Sequence, residues 1–154
     1  MKSVVSLSAI PFILYANLGF SAPQYTIVID AGSSGSRLYV YEYETSTAVP
    51  TIIKKYASEN QKPGLSTFAD KSSKELHDYM KGLLDGAQTY LKSNGIDQSK
   101  TTINVLGTAG MRILDPKPAD LLYKEVRTEI EPYGFPIQQI GTISGENEGL
   151  YGWL

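Results

Sequence analysis

Tyr25-Thr-Ile-Val-Ile-Asp30, continued by Ala31-Gly-Ser-Ser-Gly-Ser36 and Arg37-Leu-Tyr-Val-Tyr-Glu-Tyr43, is the stretch on which the reading of this chain turns. Its first part is short, apolar and β-branched, as a buried strand is. Its middle is a turn, and its last part is a second strand pattern with Leu38 and Val40 on one face. The pair forms a hairpin whose first strand ends on a carboxylate, Asp30. Two glycines let the turn fold tightly and bring its N–H groups close to an anion. Ser33, Ser34 and Ser36 add hydroxyl donors. A carboxylate at the end of a buried strand has natural company in a hydrated divalent cation, which also neutralises a polyphosphate. The same residues equally suit an ordinary Gly/Ser hairpin in which Asp30 accepts turn amides.

Outward from the hairpin, a third strand is predicted over 49–57, with Ile52 and Ile53 apolar and Lys54-Lys55 marking a solvated edge. Three strands joined by short turns make an antiparallel meander. Lys62-Pro63-Gly64-Leu65 punctuates the chain, and a long helix follows over 70–93. Leu76, Met80, Leu83, Leu84, Ala87 and Leu91 recur at intervals of three and four to give one apolar stripe, and Asn94-Gly95 supplies a left-handed stop. Gly82 and Gly86 each weaken such a helix by about 1 kcal/mol relative to alanine, which points to close packing there. His77 lies beside the stripe and reads as a solvated residue. A strand over 102–106 ends in Gly107-Thr-Ala-Gly110; a helix is expected over 119–130 and a last strand over 135–143. Ser144-Gly-Glu-Asn-Glu148 opens a final helix that is cut off at Leu154. The order β-β-β-α-β-α-β-α predicts an α/β fold, a mixed five-stranded sheet flanked by helices.

Composition narrows the chemistry. The 154 residues allow one domain, and 42% hydrophobic content is ordinary for a globular chain. With 14 Lys+Arg against 16 Asp+Glu there is no basic excess to bind nucleic acid. Cysteine is absent, which removes disulfides, thiolate metal sites and cysteine nucleophiles together. The single histidine, His77, excludes a His-rich metal site. Carboxylates, hydroxyls, arginines and backbone amides remain. At the N-terminus, Met1-Lys2 precedes an apolar stretch over 4–20, and small residues follow at Gly19 and Ser21. This is the layout of a secretory signal peptide over 1–21, cleaved after Ser21, with a secreted or periplasmic product of residues 22–154 and no stable membrane insertion after processing. A retained membrane anchor is the alternative; a span needs about 20 apolar residues, and Pro11 and Asn17 weaken this one.

Two further segments carry chemistry. Gly107-Thr-Ala-Gly-Met-Arg112 lets a second backbone approach a phosphate, with the Thr108 hydroxyl as donor and Arg112 as a permanent cation; it also suits a plain strand-to-helix turn. In Ser144-Gly-Glu-Asn-Glu-Gly-Leu-Tyr-Gly-Trp153, two carboxylates lie at a helix start. Ser144 with an acidic residue is a helix cap, yet a cap needs only one acidic group, and Gly149 and Gly152 are costly in a helix with no other purpose. A carboxylate beside a phosphate site can orient water for attack. Tyr151 and Trp153 read as core or contact residues.

These three segments, in order and at compatible separations, resemble the first three apyrase conserved regions of the GDA1/CD39 nucleoside triphosphate diphosphohydrolases, and Lys62-Pro-Gly-Leu-Ser66 resembles a family segment between the first two. The resemblance covers most of the chain from Tyr25 to Trp153. It implies a ribonuclease-H-like lobe of the actin, Hsp70 and sugar-kinase group. It implies hydrolysis of the terminal phosphates of nucleoside tri- or diphosphates with Mg2+ or Ca2+, held through water by Asp30. It assigns phosphate binding to Ser33, Ser34, Gly35, Ser36, Thr108 and Ala109, the base to Glu148, and supporting roles to Arg37 and Arg112. The family often carries alanine at the position of Gly107, a small change expected to spare the site. Such enzymes bind nucleotide between two lobes, so the chain reads as an N-terminal lobe lacking its C-terminal partner and inactive alone. The alternatives are an exopolyphosphatase or guanosine pentaphosphate phosphohydrolase, which has a similar first loop, and a non-catalytic nucleotide-binding fragment.

Overall fold

A computed structural model describes residues 23–45, 50–146 and 148. The expected leader, Val49 of the third strand, and Tyr151 and Trp153 lie outside the described residues. The hairpin forms from β1 (Gln24–Ala31) and β2 (Ser36–Glu44), and β3 (Thr51–Ala57) extends it antiparallel. After α1 (Ser73–Ser93), β4 (Thr102–Gly107) pairs parallel with β1. A single turn, α2 (Ala109–Arg112), and a longer helix, α3 (Pro116–Ile130), lead to β5 (Ile137–Thr142), parallel to β4. The strand order is β3-β2-β1-β4-β5, the mixed five-stranded sheet that the sequence predicts.

Alternation along the strands divides the sheet into two faces. Ile27, Ile29 and Ala31 of β1, Leu38 and Val40 of β2, and Ile103 and Val105 of β4 are buried in one core with the α1 stripe and with Leu122, Val126 and Ile130 of α3. Asp30, Arg37, Tyr39 and Leu106 lie on the opposite parity and face a cleft or solvent. Beyond the sheet, α1 and α3 are tied by His77 Nδ1 to Glu129 Oε2 at 2.7 Å, and α1 to the turn after α3 by the Tyr133 hydroxyl donating to Asp85 Oδ1 at 2.6 Å. His77 is exposed as expected, but with a carboxylate partner.

Helix ends follow local chemistry. Ser72 and Glu75 form a reciprocal capping box, which starts α1 at Ser73 and not at 70. Gly95, at φ +66°, turns the chain after Asn94, and Ile96 N donates back to Leu91 O at 2.9 Å. α3 begins at Pro116, three residues ahead of the expected start, because a proline in the first helical turn has no N–H to leave unpaired. Gly82 is closely packed as expected: a Cβ there would sit 2.9 Å from the Gln61 side-chain amide. Gly86 is not, its nearest neighbour being the Tyr56 hydroxyl at 4.0 Å. Among the described residues no helix is long and apolar enough to cross a membrane.

Candidate active site

The three chemistry-bearing segments meet at the C-terminal ends of β1, β4 and β5. Asp30 and Arg37 are register partners at the mouth of the hairpin. Beyond β4, Thr108 is locked to β1, its N–H donating to Ala31 O at 3.1 Å and its hydroxyl to the same oxygen at 3.3 Å. Ile143 N donates to Gly107 O at 2.9 Å and delivers the third segment to the same edge. Glu148 N donates to Ser144 O at 2.9 Å, a helical bond that begins the expected final helix. Asp30, Thr108, Ile143 and Glu148 line one cleft of about 510 Å³, continued over the sheet by Tyr39 and Lys55.

The loop over 32–35 is held by close backbone packing. A Cβ at Gly64 would strike the Ser33 carbonyl oxygen and lie 2.7 Å from that of Gly32. One at Gly110 would sit 2.8 Å from Ser33 Cα, and one at Gly35 2.7 Å from Gln61 O. Gln61 is the hub behind this loop. It exchanges two backbone bonds with Ser36, at 2.8 and 2.9 Å, and its side-chain amide donates to Tyr79 O at 2.6 Å. The part of 60–64 in building the site was not foreseen from Lys62-Pro-Gly-Leu-Ser66; the glycine among punctuating residues was its only local signal.

Ser33, Ser34 and Ala109 are exposed, and Arg37 is exposed on the same sheet face as Asp30. Thr108 is buried at the cleft wall. One expectation changes. Ser36 does not offer its hydroxyl to a ligand: it shares the parity of Leu38 and Val40, is 1% exposed, and its backbone is committed to Gln61. Its Oγ makes no well-formed hydrogen bond and lies near the Tyr79 phenol. Gly35 is buried, and a Cβ there would meet Asn60 and Gln61, so the shape of the loop requires a glycine at this position. Gly107 packs closely against Tyr123 and Met111. An added methyl there would collide with the Tyr123 hydroxyl and come within 2.9 Å of Met111 Cβ. In this chain alanine at that position therefore displaces Tyr123 from its 2.8 Å bond to Thr142.

Burial raises the Asp30 pKa, the negative charge of Glu148 raises it further, and Arg37 opposes both, although solvent reaches Asp30 from the open face. A divalent cation in the cleft would relieve both destabilising causes. Among the described residues no group of three or more His, Cys, Asp or Glu side chains could cage a metal. The donor set fits instead a hydrated ion held by one or two carboxylates and by phosphate oxygens of a ligand, as Mg2+ is commonly held.

Glu148 is itself engaged. Both terminal nitrogens of Arg112, Nη1 and Nη2, donate to Glu148 Oε2 at 2.9 Å, and Nη1 also donates to Ile143 O at 3.1 Å. The sequence reads Arg112 as a cation for phosphate or as a supporting residue, and nothing local announced Glu148 as its partner.

The ectonucleoside triphosphate diphosphohydrolase 1 of Bos taurus is 37% identical over 138 residues, which cover 85% of this chain and 26% of that protein. The guanosine-diphosphatase of Saccharomyces cerevisiae is 32% identical over 135 residues, covering 85% and 25%. The chain thus spans about a quarter of the length of these curated relatives. Nucleoside triphosphate hydrolase from Neospora caninum, a solved structure, matches with a TM-score of 0.55 at 19% identity, over 84% of this chain and 30% of that one, a likeness of fold. The family model of the GDA1/CD39 (nucleoside phosphatase) family matches residues 21–154, so it takes in all three segments that converge on the cleft. By that match the chain belongs to the GDA1/CD39 (nucleoside phosphatase) family.

Proposed function

We propose that this chain is the N-terminal lobe of a two-lobed hydrolase that removes terminal phosphates from nucleoside tri- or diphosphates, and that it supplies half of the site. The observation that carries the reading is the convergence of Asp30, Thr108 and Glu148 on one cleft at the ends of β1, β4 and β5. Loop amides and the exposed hydroxyls of Ser33 and Ser34 face the terminal phosphate; Ala109 contacts it from the second segment, while Thr108, whose N–H and hydroxyl both go to Ala31 O, forms the wall beside it. Glu148 orients a water molecule and accepts its proton as the water attacks in line. Water is the nucleophile, so no covalent phosphoenzyme forms. A bound Mg2+ or Ca2+, held by Asp30 through water, would supply charge neutralisation on the phosphate oxygens. Arg37, beside Asp30, balances the negative charge of the cleft.

The relatives' names speak of triphosphates, diphosphates and guanosine diphosphate. The test of the two-lobe reading is turnover. Purified residues 22–154 should release no phosphate from ATP above the blank with Mg2+ or Ca2+, whereas the protein completed by a second lobe should. Robust turnover by 22–154, abolished by Glu148→Gln, would overturn the half-site. In the completed enzyme, faster release from long-chain polyphosphate than from ATP would replace the nucleotidase reading by the exopolyphosphatase one.

Residues 1–21 are read as a cleaved leader for export. The apolar stretch over 4–20 and a family match that starts at residue 21 support this. N-terminal sequencing of the exported protein should begin at Ala22 or within a few residues; intact Met1 on a membrane-bound product would make the segment an anchor.

A further inference from the structure

We propose that Arg112 is a positioning residue that sets the Glu148 carboxylate, and that it is not a ligand of the phosphate chain. The proposal deepens the reading of Glu148 as base and rests on it. Three observations carry it. First, Nη1 and Nη2 converge on the single oxygen Oε2, both at 2.9 Å, so the guanidinium fork leaves Oε1 outside its grip. An orienting base needs one carboxylate oxygen anchored and the other available, and a planar two-donor fork supplies that anchoring where a point charge does not. Second, the fork is itself fixed. Nη1 donates to Ile143 O at 3.1 Å, so Arg112 joins Glu148 to the end of β5. The arginine backbone is held by its N–H to Thr108 O at 3.2 Å, and α2 is pressed through Gly110 against Ser33. One helical turn therefore carries both the second phosphate-contacting segment and the anchor of the base, which sets the distance between them. Third, three of the five guanidinium N–H groups are given to protein oxygens, both of Nη1 and one of Nη2, so a two-nitrogen clamp on a phosphate would mean releasing Glu148.

Stability does not account for this pair. Arg112 and Glu148 side chains are 34% and 42% exposed, and ion pairs so open to solvent add little to folding. Orientation is what a fork of this geometry provides.

The test compares Arg112→Ala, Arg112→Lys, Glu148→Gln and the double variant Arg112→Ala/Glu148→Gln in the active two-lobed enzyme, each checked for folding by its thermal transition. Displacing a catalytic group by about 1 Å costs about 100-fold, so Arg112→Ala should lower kcat about 10- to 100-fold with KM for nucleotide within about 3-fold of wild type. Arg112→Lys should recover part of that loss through a single donor. The double variant should be no slower than Glu148→Gln alone, because residues that act as a unit are not additive. A KM raised tenfold or more with kcat intact would overturn the proposal in favour of phosphate binding. So would a double variant whose loss equals the product of the two single losses. If Arg112→Ala fails to fold, Arg112→Lys carries the test, with lowered kcat at unchanged KM expected and raised KM overturning it. A mild Glu148→Gln would remove the base reading, and the proposal with it; because each single variant is measured separately, that failure is distinguishable from failure of the Arg112 assignment alone.

Discussion

Glu148→Gln, in the enzyme completed by a second lobe, is expected to lower kcat by about 10² to 10⁴, the usual cost of losing general-base help. Nucleotide affinity should stay near wild type, because the change removes a proton acceptor and leaves the loop over 32–35 and Thr108 in place. The amide retains the shape of the carboxylate and can still meet Arg112, so the fold is little disturbed. Two carboxylates compete for the assignment. Glu146 is exposed and is not part of the cleft wall, whereas Glu148 lines the cleft beside Asp30 and Thr108 and is the one held by Arg112. Glu146→Gln should therefore change kcat less than about 3-fold, well short of the general-base range. Steady-state phosphate release, with nucleotide affinity measured separately by titration, checks both variants. An inactive Glu146→Gln, or two equally mild variants, would show that the base is not Glu148.

Gly64→Ala is the second large effect, and it acts at a distance from the reacting atoms. The added methyl would strike the Ser33 carbonyl oxygen and approach the Gly32 carbonyl oxygen and the Ser33 carbonyl carbon, both at 2.7 Å. All three are main-chain atoms, so no flexible side chain can turn aside and the loop over 32–34 itself must move. Overpacking of this kind costs about 1–3 kcal/mol of stability, and a phosphate loop displaced by about 1 Å should cost about 100-fold in kcat/KM. The informative comparison is Gly86→Ala, where the nearest atom is 4.0 Å away in the middle of α1. That change should stabilise the protein by up to about 1 kcal/mol through helix propensity alone and leave kcat/KM untouched. Thermal unfolding and ATP hydrolysis by the pair decide the matter: a Gly64→Ala enzyme with wild-type kcat/KM would mean that 60–64 does not support the phosphate loop.

Much of this was written in local pattern. The hairpin, the α1 stripe and the strand after it are each legible because a period of two or of three to four residues decides which side of an element is apolar, and an apolar side must be buried. The same rule, carried two residues further back from Leu38 and Val40, puts Ser36 on the core face, although the Gly/Ser composition of the turn suggests a hydroxyl donor there. Helix starts were less legible, because Pro116 and Pro118 mark punctuation and a helix start with the same letters, and only the backbone N–H tally separates the two.

What tertiary structure alone decided is which of these elements touch. Gly64 lies about thirty residues beyond Ser33, Gly110 more than seventy, and Arg112 and Glu148 stand thirty-six apart. No periodicity within any one segment relates them: the Gly110 and Arg112 contacts arise when the parallel pairing of β1, β4 and β5 brings three strand ends to one edge, and the Gly64 contact when Gln61 bridges antiparallel to Ser36. The sequence by itself therefore determined the elements, their buried faces and the residue types able to handle phosphate. Contacts between segments far apart in the chain decided which glycine supports the loop and which arginine holds the carboxylate, because local sequence sets the direction of a side chain whereas the neighbour it meets is supplied by another part of the chain.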